Sequence, residues 1–181
     1  MKKLFFASVL FATFSFSATA QETKMVGGAA MYPTKNIVEN AVNSKDHTTL
    51  VAAVKAAGLV ETLQSAGPFT VFAPTNAAFN KLPKGAVDNL LKPENKAMLT
   101  SVLTYHVVAG RMSSADLMKA IKDGGGKAEL TTVQGGKLWA MMKGKNIILK
   151  DEKGNTSKVT IADVNQSNGV IHVVDTVVMP K

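Results

Sequence analysis

Residues 67–79, GPFTVFAPTNAAF, predict a buried β-strand that leads directly into a capped helix. The Gly67-Pro68 dipeptide is a turn former, and residues 69–73 are largely apolar on both faces, as a strand covered on both sides requires. The proline that follows ends the strand. Thr75 or Asn76 can then accept hydrogen bonds from the free N–H groups of a helix start. The stretch consists of turn formers and core residues, so it indicates architecture rather than catalysis.

The residues on either side of this stretch have helical periodicity. One helix is predicted after Thr34 as a possible cap, and another after Asp46, with Gly58 as its C-terminal stop. Leu59 and Leu63 indicate a further helical turn. Additional helices are predicted over residues 83–91, over residues 93–103, and from Ser113 or Ser114 through Ile121.

The hydrophobic period changes to two after the glycine triplet at residues 124–126. Glycine-containing turns separate the apolar runs that follow, as they do between the strands of antiparallel hairpins. Strands are predicted over residues 130–133, 138–142, 147–150, 159–164 and 170–179. A helix-rich first half followed by a strand-rich second half indicates an α+β fold.

Two further segments consist mainly of apolar residues and contain one histidine each. They are TYHVV at residues 104–108 and NGVIHVVD at residues 168–175. In this order and at about these intervals, the three segments resemble those of fasciclin domains, and the similarity extends over residues 26–180. The resemblance implies a fasciclin-like compact β-sandwich wedge flanked by several short helices, formed as a single domain over residues 34–181. Residues 21–33 would then be an N-terminal extension.

The resemblance also nominates a candidate adhesion surface. In fasciclin domains similar to this one, the dipeptide at Tyr105 and His106 has been assigned to cell-adhesion contacts. Some animal members carry an acidic-aliphatic adhesion motif where this chain has Asp163 and Val164, although the preceding glutamate and proline are replaced here. Because adjacent strand residues face opposite ways, we expect one of Tyr105 and His106 to be buried and the other to lie near the surface. In the alternative interpretation, the Tyr105 hydroxyl and the His106 imidazole both lie near the core and form hydrogen bonds with backbone groups.

The last predicted strand carries a second histidine. Strand alternation places His172 on one face with Val170, Val174 and Val178. A histidine among valines is expected to be neutral and hydrogen-bonded to a neighbouring group, because burying an unpaired polar group is costly. We therefore predict a structural role for His172.

Residues 1–20 have the features of a secretory signal peptide. Lys2 and Lys3 form a positive region, residues 4–16 are apolar, and residues 18–20 are small. The apolar run is shorter than the roughly 20 residues that span a bilayer. We expect cleavage near Ala20 and a secreted or periplasmic product, without a lipid-modified cysteine because the chain contains none.

The chain carries a formal net charge of +8, and its lysines are scattered along the sequence. Nucleic-acid binding is not expected, because it calls for basic residues interleaved with stacking aromatics, and few aromatics remain outside the signal peptide. A surface protein, an acidic polysaccharide or anionic lipid headgroups are the expected partners, since long-range attraction needs only net charge.

Residues suited to catalysis are sparse. The chain has no cysteine and no glycine-rich phosphate loop, and its three histidines lie more than fifty residues apart. We therefore expect no cofactor, no metal site and no enzymatic activity, and interpret the chain as an exported fasciclin-domain adhesion or binding module. The alternative is a small-ligand or lipid-binding envelope protein, which would need a contiguous apolar cavity. Less favoured is a metal-dependent secreted enzyme, which would need clustered histidines and carboxylates.

Overall fold

A computed structural model describes residues 22–181, so the predicted signal peptide lies outside the described residues. Short 3₁₀ turns at Lys45–His47 and Pro93–Asn95 precede two of the α-helices. The helices are α1 (Ile37–Ala41), α2 (Thr48–Ala57), α3 (Val60–Gln64), α4 (Asn76–Asn80), α5 (Ala86–Leu90), α6 (Lys96–Tyr105) and α7 (Ser114–Asp123). The strands are β1 (Lys24–Val26), β2 (Ala29–Met31), β3 (Phe69–Pro74), β4 (Val107–Ala109), β5 (Lys127–Thr131), β6 (Lys137–Lys143), β7 (Asn146–Lys150), β8 (Thr156–Gln166) and β9 (Gly169–Val174).

Seven strands form one sheet in the order β4-β3-β9-β8-β7-β6-β5, and β1 pairs only with β2. Strands β3 and β9 are parallel, whereas the remaining neighbours are antiparallel. An isolated bridge between Val108 and Thr132 links the two ends of the sheet, so the sheet almost closes into a barrel. The helices pack around it, which confirms the predicted α+β fold.

The central strands β3 and β9 separate two hydrophobic cores. Val71 and Ile171 contribute to the first core, which also contains apolar residues of α1 to α6 and of the β1–β2 hairpin. Phe72 and Val174 contribute to the second core, formed with α7 and strands β5 to β8. Both faces of these strands are therefore covered, as the apolar residues 69–73 predicted.

Side chains cap several helices as the sequence indicated, with one correction. Thr75 accepts a hydrogen bond from Ala78 N at 3.2 Å, and Ser113 accepts one from Asp116 N at 3.2 Å. Gly58 ends α2 in a left-handed conformation, with φ of 74°. The predicted cap at Thr34 is wrong, because Asn36 accepts the hydrogen bond from Glu39 N at 2.9 Å instead. The Asn36 N–H in turn donates to the Glu39 carboxylate, and the two bonds together form a capping box.

Three predicted elements are shorter or shifted. The helix predicted over residues 83–91 begins only after Gly85, whose φ of 79° is not helical. The strand predicted over residues 130–133 lies at Lys127–Thr131, because the chain already turns at Thr132, where Gly135 N bonds to the Thr132 carbonyl at 2.9 Å. The final strand ends at Val174. Beyond it, side chains accept the backbone hydrogen bonds: Thr176 N donates to Ser157 Oγ at 3.2 Å and Met179 N to Asp151 Oδ2 at 2.9 Å.

The β1–β2 hairpin was not predicted. Gly27 and Gly28 form its two-residue turn, and their φ values of 58° and 76° suit the mirror-image turns that join strands. Val26 and Met31 are buried in the first core. Residues before position 34 thus pack as part of the same fold.

Asn168 joins three segments immediately before β9. Its side-chain oxygen accepts from Ile37 N at 3.0 Å, and its amide nitrogen donates to the carbonyls of Leu63 and Ser65 at 2.8 Å each. Its own carbonyl accepts from Phe69 N at 3.0 Å. The side chain is buried. One asparagine therefore fixes α1 and the end of α3 against the start of β9.

We predict that Asn168→Ala lowers the free energy of unfolding by roughly 2–4 kcal/mol, because it leaves buried backbone groups without partners. Urea denaturation measures this change. Ser167→Ala is the matched control, since the Ser167 side chain is exposed and only its backbone N–H bonds, to the Lys35 carbonyl at 2.9 Å. Equal stability of the two variants would contradict the assignment.

Candidate functional site

Tyr105, the last residue of α6, is completely buried in the second core. Its hydroxyl donates a hydrogen bond to the Lys137 carbonyl at 2.5 Å and accepts one from Glu152 N at 3.2 Å. Burial raises the pKa of the phenol to about 12. The side chain therefore braces the start of β6 against the loop between β7 and β8.

His106 is also buried, with 2% of its surface exposed. Its Nδ1 bonds to the Val102 carbonyl at 2.8 Å, and its Nε2 accepts from Val178 N at 3.1 Å. These two partners require a neutral ring with the proton on Nδ1. Burial lowers the pKa of the imidazole to about 4, so the ring is neutral at physiological pH. His106 thus fastens the C-terminal tail to α6.

Asp163 lies half-buried in an irregular part of β8, with φ of 57°. Its Oδ1 accepts from Ser114 N at 2.6 Å, and its Oδ2 accepts from the Ser114 hydroxyl. Ser114 is the first residue of α7, where a carboxylate interacts favourably with the helix dipole. Val164, the next residue, is completely buried in the first core.

His172 lies on β9 and is completely buried. Its Nε2 donates to the Met112 carbonyl at 2.8 Å, and its Nδ1 accepts from Asp163 N at 3.3 Å. The ring stacks on Phe72, with 5.6 Å between ring centres. Burial lowers the pKa of the imidazole, which favours the neutral form. The prediction of a buried, backbone-bonded His172 is confirmed.

The four nominated adhesion residues do not form one exposed patch. Tyr105 belongs to the second core and Val164 to the first, His106 is buried, and Asp163 bonds to α7. The expectation that either Tyr105 or His106 lies near the surface is wrong, because Tyr105 ends α6 and His106 caps it with helical φ and ψ. Strand alternation begins only at Val107. Backbone groups satisfy both side chains, as the alternative interpretation required. A role for the four residues in adhesion stays a prediction.

An apolar cavity of about 70 Å³ lies between the helices and the central sheet. Its walls come from α1 to α3, from the end of α6 and from β3, and include Ile37, Leu50, Val54, Leu63, Val71 and Ile171. Half-buried Val51 and exposed Val133 also line it, so the cavity extends towards the surface. No pattern in the sequence predicted this space, because it depends on how far apart the helices and the sheet pack.

His47 contributes a polar group to the wall of this cavity. The residue is buried, and its Nδ1 lies 2.9 Å from the Ser44 hydroxyl. Its Nε2 is buried without a hydrogen-bond partner within residues 22–181. Burial lowers the pKa of the ring, an effect that the nearby Ala73 carbonyl opposes. A ligand in the cavity could supply the partner that Nε2 lacks.

Across residues 22–181, no three histidine, aspartate or glutamate side chains are grouped as metal ligands. Over the same residues, every helix is too short or too polar to cross a bilayer.

Comparison with known proteins matches residues 45–180 to the model of the fasciclin domain. Protein sll1483 of Synechocystis is 45% identical over 164 residues, which cover 90% of this chain and 83% of that protein. The cell surface glycolipoprotein MPB83 of Mycobacterium bovis is 34% identical over 160 residues, which cover 86% of this chain and 64% of that protein.

A solved structure shares the fold. The FAS1 domain pair from the insect cell adhesion molecule Fasciclin I aligns with a TM-score of 0.70 at 18% sequence identity, over 78% of this chain and 50% of that one. The family match covers most of the chain, and the fold agrees with it. The chain belongs to the fasciclin-domain family.

Proposed function

We propose that this protein is an exported, non-catalytic fasciclin domain that binds a partner on a cell surface, in a matrix or in an envelope. Family membership supports a binding role, and the similarity to a protein named a cell surface glycolipoprotein supports the location. The observation that carries the proposal is that the two histidines of the family-defining segments are fully used in structural hydrogen bonds.

A histidine acts as a general base or a metal ligand only through a free ring nitrogen. Both nitrogens of His106 bond to backbone groups, and both nitrogens of His172 do so as well. Neither ring can accept a proton from a substrate without losing a bond that holds the fold. These two histidines therefore stabilise the fold, and we infer that the partner binds to exposed residues instead.

The surface offers positive charge to a partner. Lysines outnumber acidic residues along the chain. Lys81, Lys84, Lys92 and Lys96 are all exposed around α5 and α6, and only Lys81 pairs with an acid in the described part of the chain, at 3.5 Å from Asp175. A negatively charged protein, polysaccharide or lipid headgroup would complement such a surface. Peripheral contact with a membrane is compatible with this arrangement.

The second candidate function is the binding of a very small apolar ligand in the helix–sheet cavity, whose volume of about 70 Å³ is too small for a lipid chain. The supporting observation is an apolar cavity whose wall contains one buried nitrogen without a partner, His47 Nε2. Mostly apolar walls with a few polar groups are typical of small-molecule sites, where the polar groups orient the ligand. The two functions are compatible, because the cavity lies beneath the helices and the lysines lie outside them.

We expect purified protein lacking residues 1–20 to be retained on envelope and surface-polysaccharide fractions of its own source cells. Because positive charge drives the contact, retention should fall several-fold when the salt concentration rises well above the physiological range. Sedimentation with each fraction measures it. Heat-denatured protein, which has the same charged residues without the fold, is the control for charge alone. Equal retention of folded and denatured protein, or none on any fraction, would contradict the proposal.

We predict that acid destabilises the fold before most carboxylates titrate. His106 has an ordinary pKa of 6.5 and a folded-state pKa of about 4. Below pH 6.5 the unfolded chain binds a proton that the folded chain excludes, so stability is complete above this pH and falls towards pH 4. The loss for this residue is on the order of 2 kcal/mol by pH 5 and on the order of 3 kcal/mol by pH 4. Urea denaturation between neutral pH and about pH 5 measures it.

The matched variant for this prediction is His106→Gln. Glutamine can donate to the Val102 carbonyl and accept from Val178 N, but it does not titrate. Its stability should therefore depend less on pH over the same range. An identical pH dependence in the two proteins would show that His106 is not the group responsible.

We predict that xenon under pressure raises the melting temperature by about 1–3 °C, because an apolar cavity of about 70 Å³ has room for a single atom of this size. Val51→Phe should abolish this shift, because Val51 lines the cavity and the larger ring would fill it. Val42→Phe is the control, since Val42 is 48% exposed and lies outside the cavity wall. A shift that survives Val51→Phe would exclude this cavity as the binding site.

A further inference from the structure

A second concave site lies at the outer face of β5 to β7. We call it the Trp139 hollow and define it by Lys127, Trp139, Met141, Lys150 and the loop at residues 151–154. It has a volume of about 380 Å³. The alternate residues of β6, Leu138 and Ala140, point into the second core, so the hollow faces solvent.

Strand register brings the members of the hollow together. Lys127 pairs with Met141 across β5 and β6, and Trp139 pairs with Lys150 across β6 and β7. The Lys127 ammonium lies 5.3 Å from the centre of the Trp139 ring. A half-buried indole and thioether thus form an apolar floor with ammonium groups beside it.

The loop that borders the hollow is held in place. Asp151 is buried, and its Oδ1 accepts from Lys153 N at 3.0 Å and from Asn155 N at 2.8 Å. Its other oxygen accepts from Met179 N at 2.9 Å. The wall that carries Lys153 is therefore preorganised, which reduces the entropy lost when a ligand binds.

Three lysines of the hollow have no acidic partner in the described residues. Lys127, Lys150 and Lys153 are exposed and form no ion pair within residues 22–181. The nearby carboxylates are already engaged: Glu129 pairs with Lys137 at 3.0 Å, and Glu152 accepts from Lys137 N at 3.0 Å and Lys181 N at 3.2 Å. These bonds lower the pKa of both acids, so they stay charged and bound at neutral pH. The hollow thus keeps a net positive charge.

We propose that the Trp139 hollow binds an acidic polysaccharide. The apolar face of a sugar ring packs against the indole, while the carboxylate or sulfate groups of the chain contact Lys127, Lys150 and Lys153. The inference rests on the proposed binding function and names its surface and its ligand class. A single half-buried aromatic does not provide the successive stacking platforms of single-stranded nucleic acid binding. A concave floor also does not insert into a bilayer as a protruding aromatic would.

The chain reports this binding directly, because Trp139 is its only tryptophan. Oligogalacturonate is the test ligand, and its methyl-esterified form is the neutral control with the same sugar rings. We expect saturable quenching or a shift of Trp139 emission with the acidic oligomer, and affinity at least about tenfold weaker for the ester. Added salt should weaken the acidic complex, as expected for exposed charges.

Two double variants of equal charge locate the site. Lys127→Gln with Lys150→Gln should weaken binding by about tenfold, while Lys35→Gln with Lys45→Gln, whose lysines lie outside the hollow, should leave it almost unchanged. All four side chains are exposed, so circular dichroism should show that both proteins stay folded. Equal losses in the two variants would overturn the proposal in favour of general charge attraction.

Single-stranded DNA and anionic phospholipid vesicles complete the test. Emission changes with either that match those with oligogalacturonate in affinity and in sensitivity to the Lys127/Lys150 variant would overturn the assignment to polysaccharide. Retention on envelope fractions without any oligogalacturonate binding would overturn the inference and leave the proposed function standing. Loss of both would overturn the two together.

Discussion

The structure depends on the parallel pairing of β3 with β9. Each residue from Phe69 to Pro74 lies opposite the residue one hundred positions later, from Gly169 to Val174. The pair forms the wall between the two cores, so side chains of both strands alternate between them. The strands meet closely where the pairing begins, because a Cβ on Gly169 would lie 2.1 Å from the Phe69 carbonyl oxygen. Only glycine allows this approach.

Buried polar side chains form a second set of contacts between distant segments of the chain. Asn168, His106, His172 and Asp151 all bond to backbone groups of distant segments. Each supplies a partner where regular secondary structure ends, which is where buried N–H and C=O groups would otherwise be unsatisfied. These polar residues therefore hold distant parts of the fold together.

The sequence predicted the architecture better than the site. Hydrophobic period and turn residues located most helices and strands, and the valines around His172 indicated its buried, neutral state. Tyr105 and His106 were harder, because their burial depends on where α6 ends, and a one-residue difference in that position reverses the expected face. Asn168 stood out only as the first residue of the segment NGVIHVVD, although its side chain joins three segments. The cavity and the Trp139 hollow arise from packing and strand register, which local patterns do not encode.

The order of the chain has a consequence for how this protein is made. Strand β9 follows all the other helices and strands of the described residues, and both cores need it. During synthesis from the N-terminus, β3 and the apolar faces of the helices that precede it stay exposed until β9 emerges. Contacts over such long sequence separations also slow folding. The entropy of closing the long loop is lost before the strand pairing can compensate for it. The two cores therefore cannot close until β9 has been synthesised.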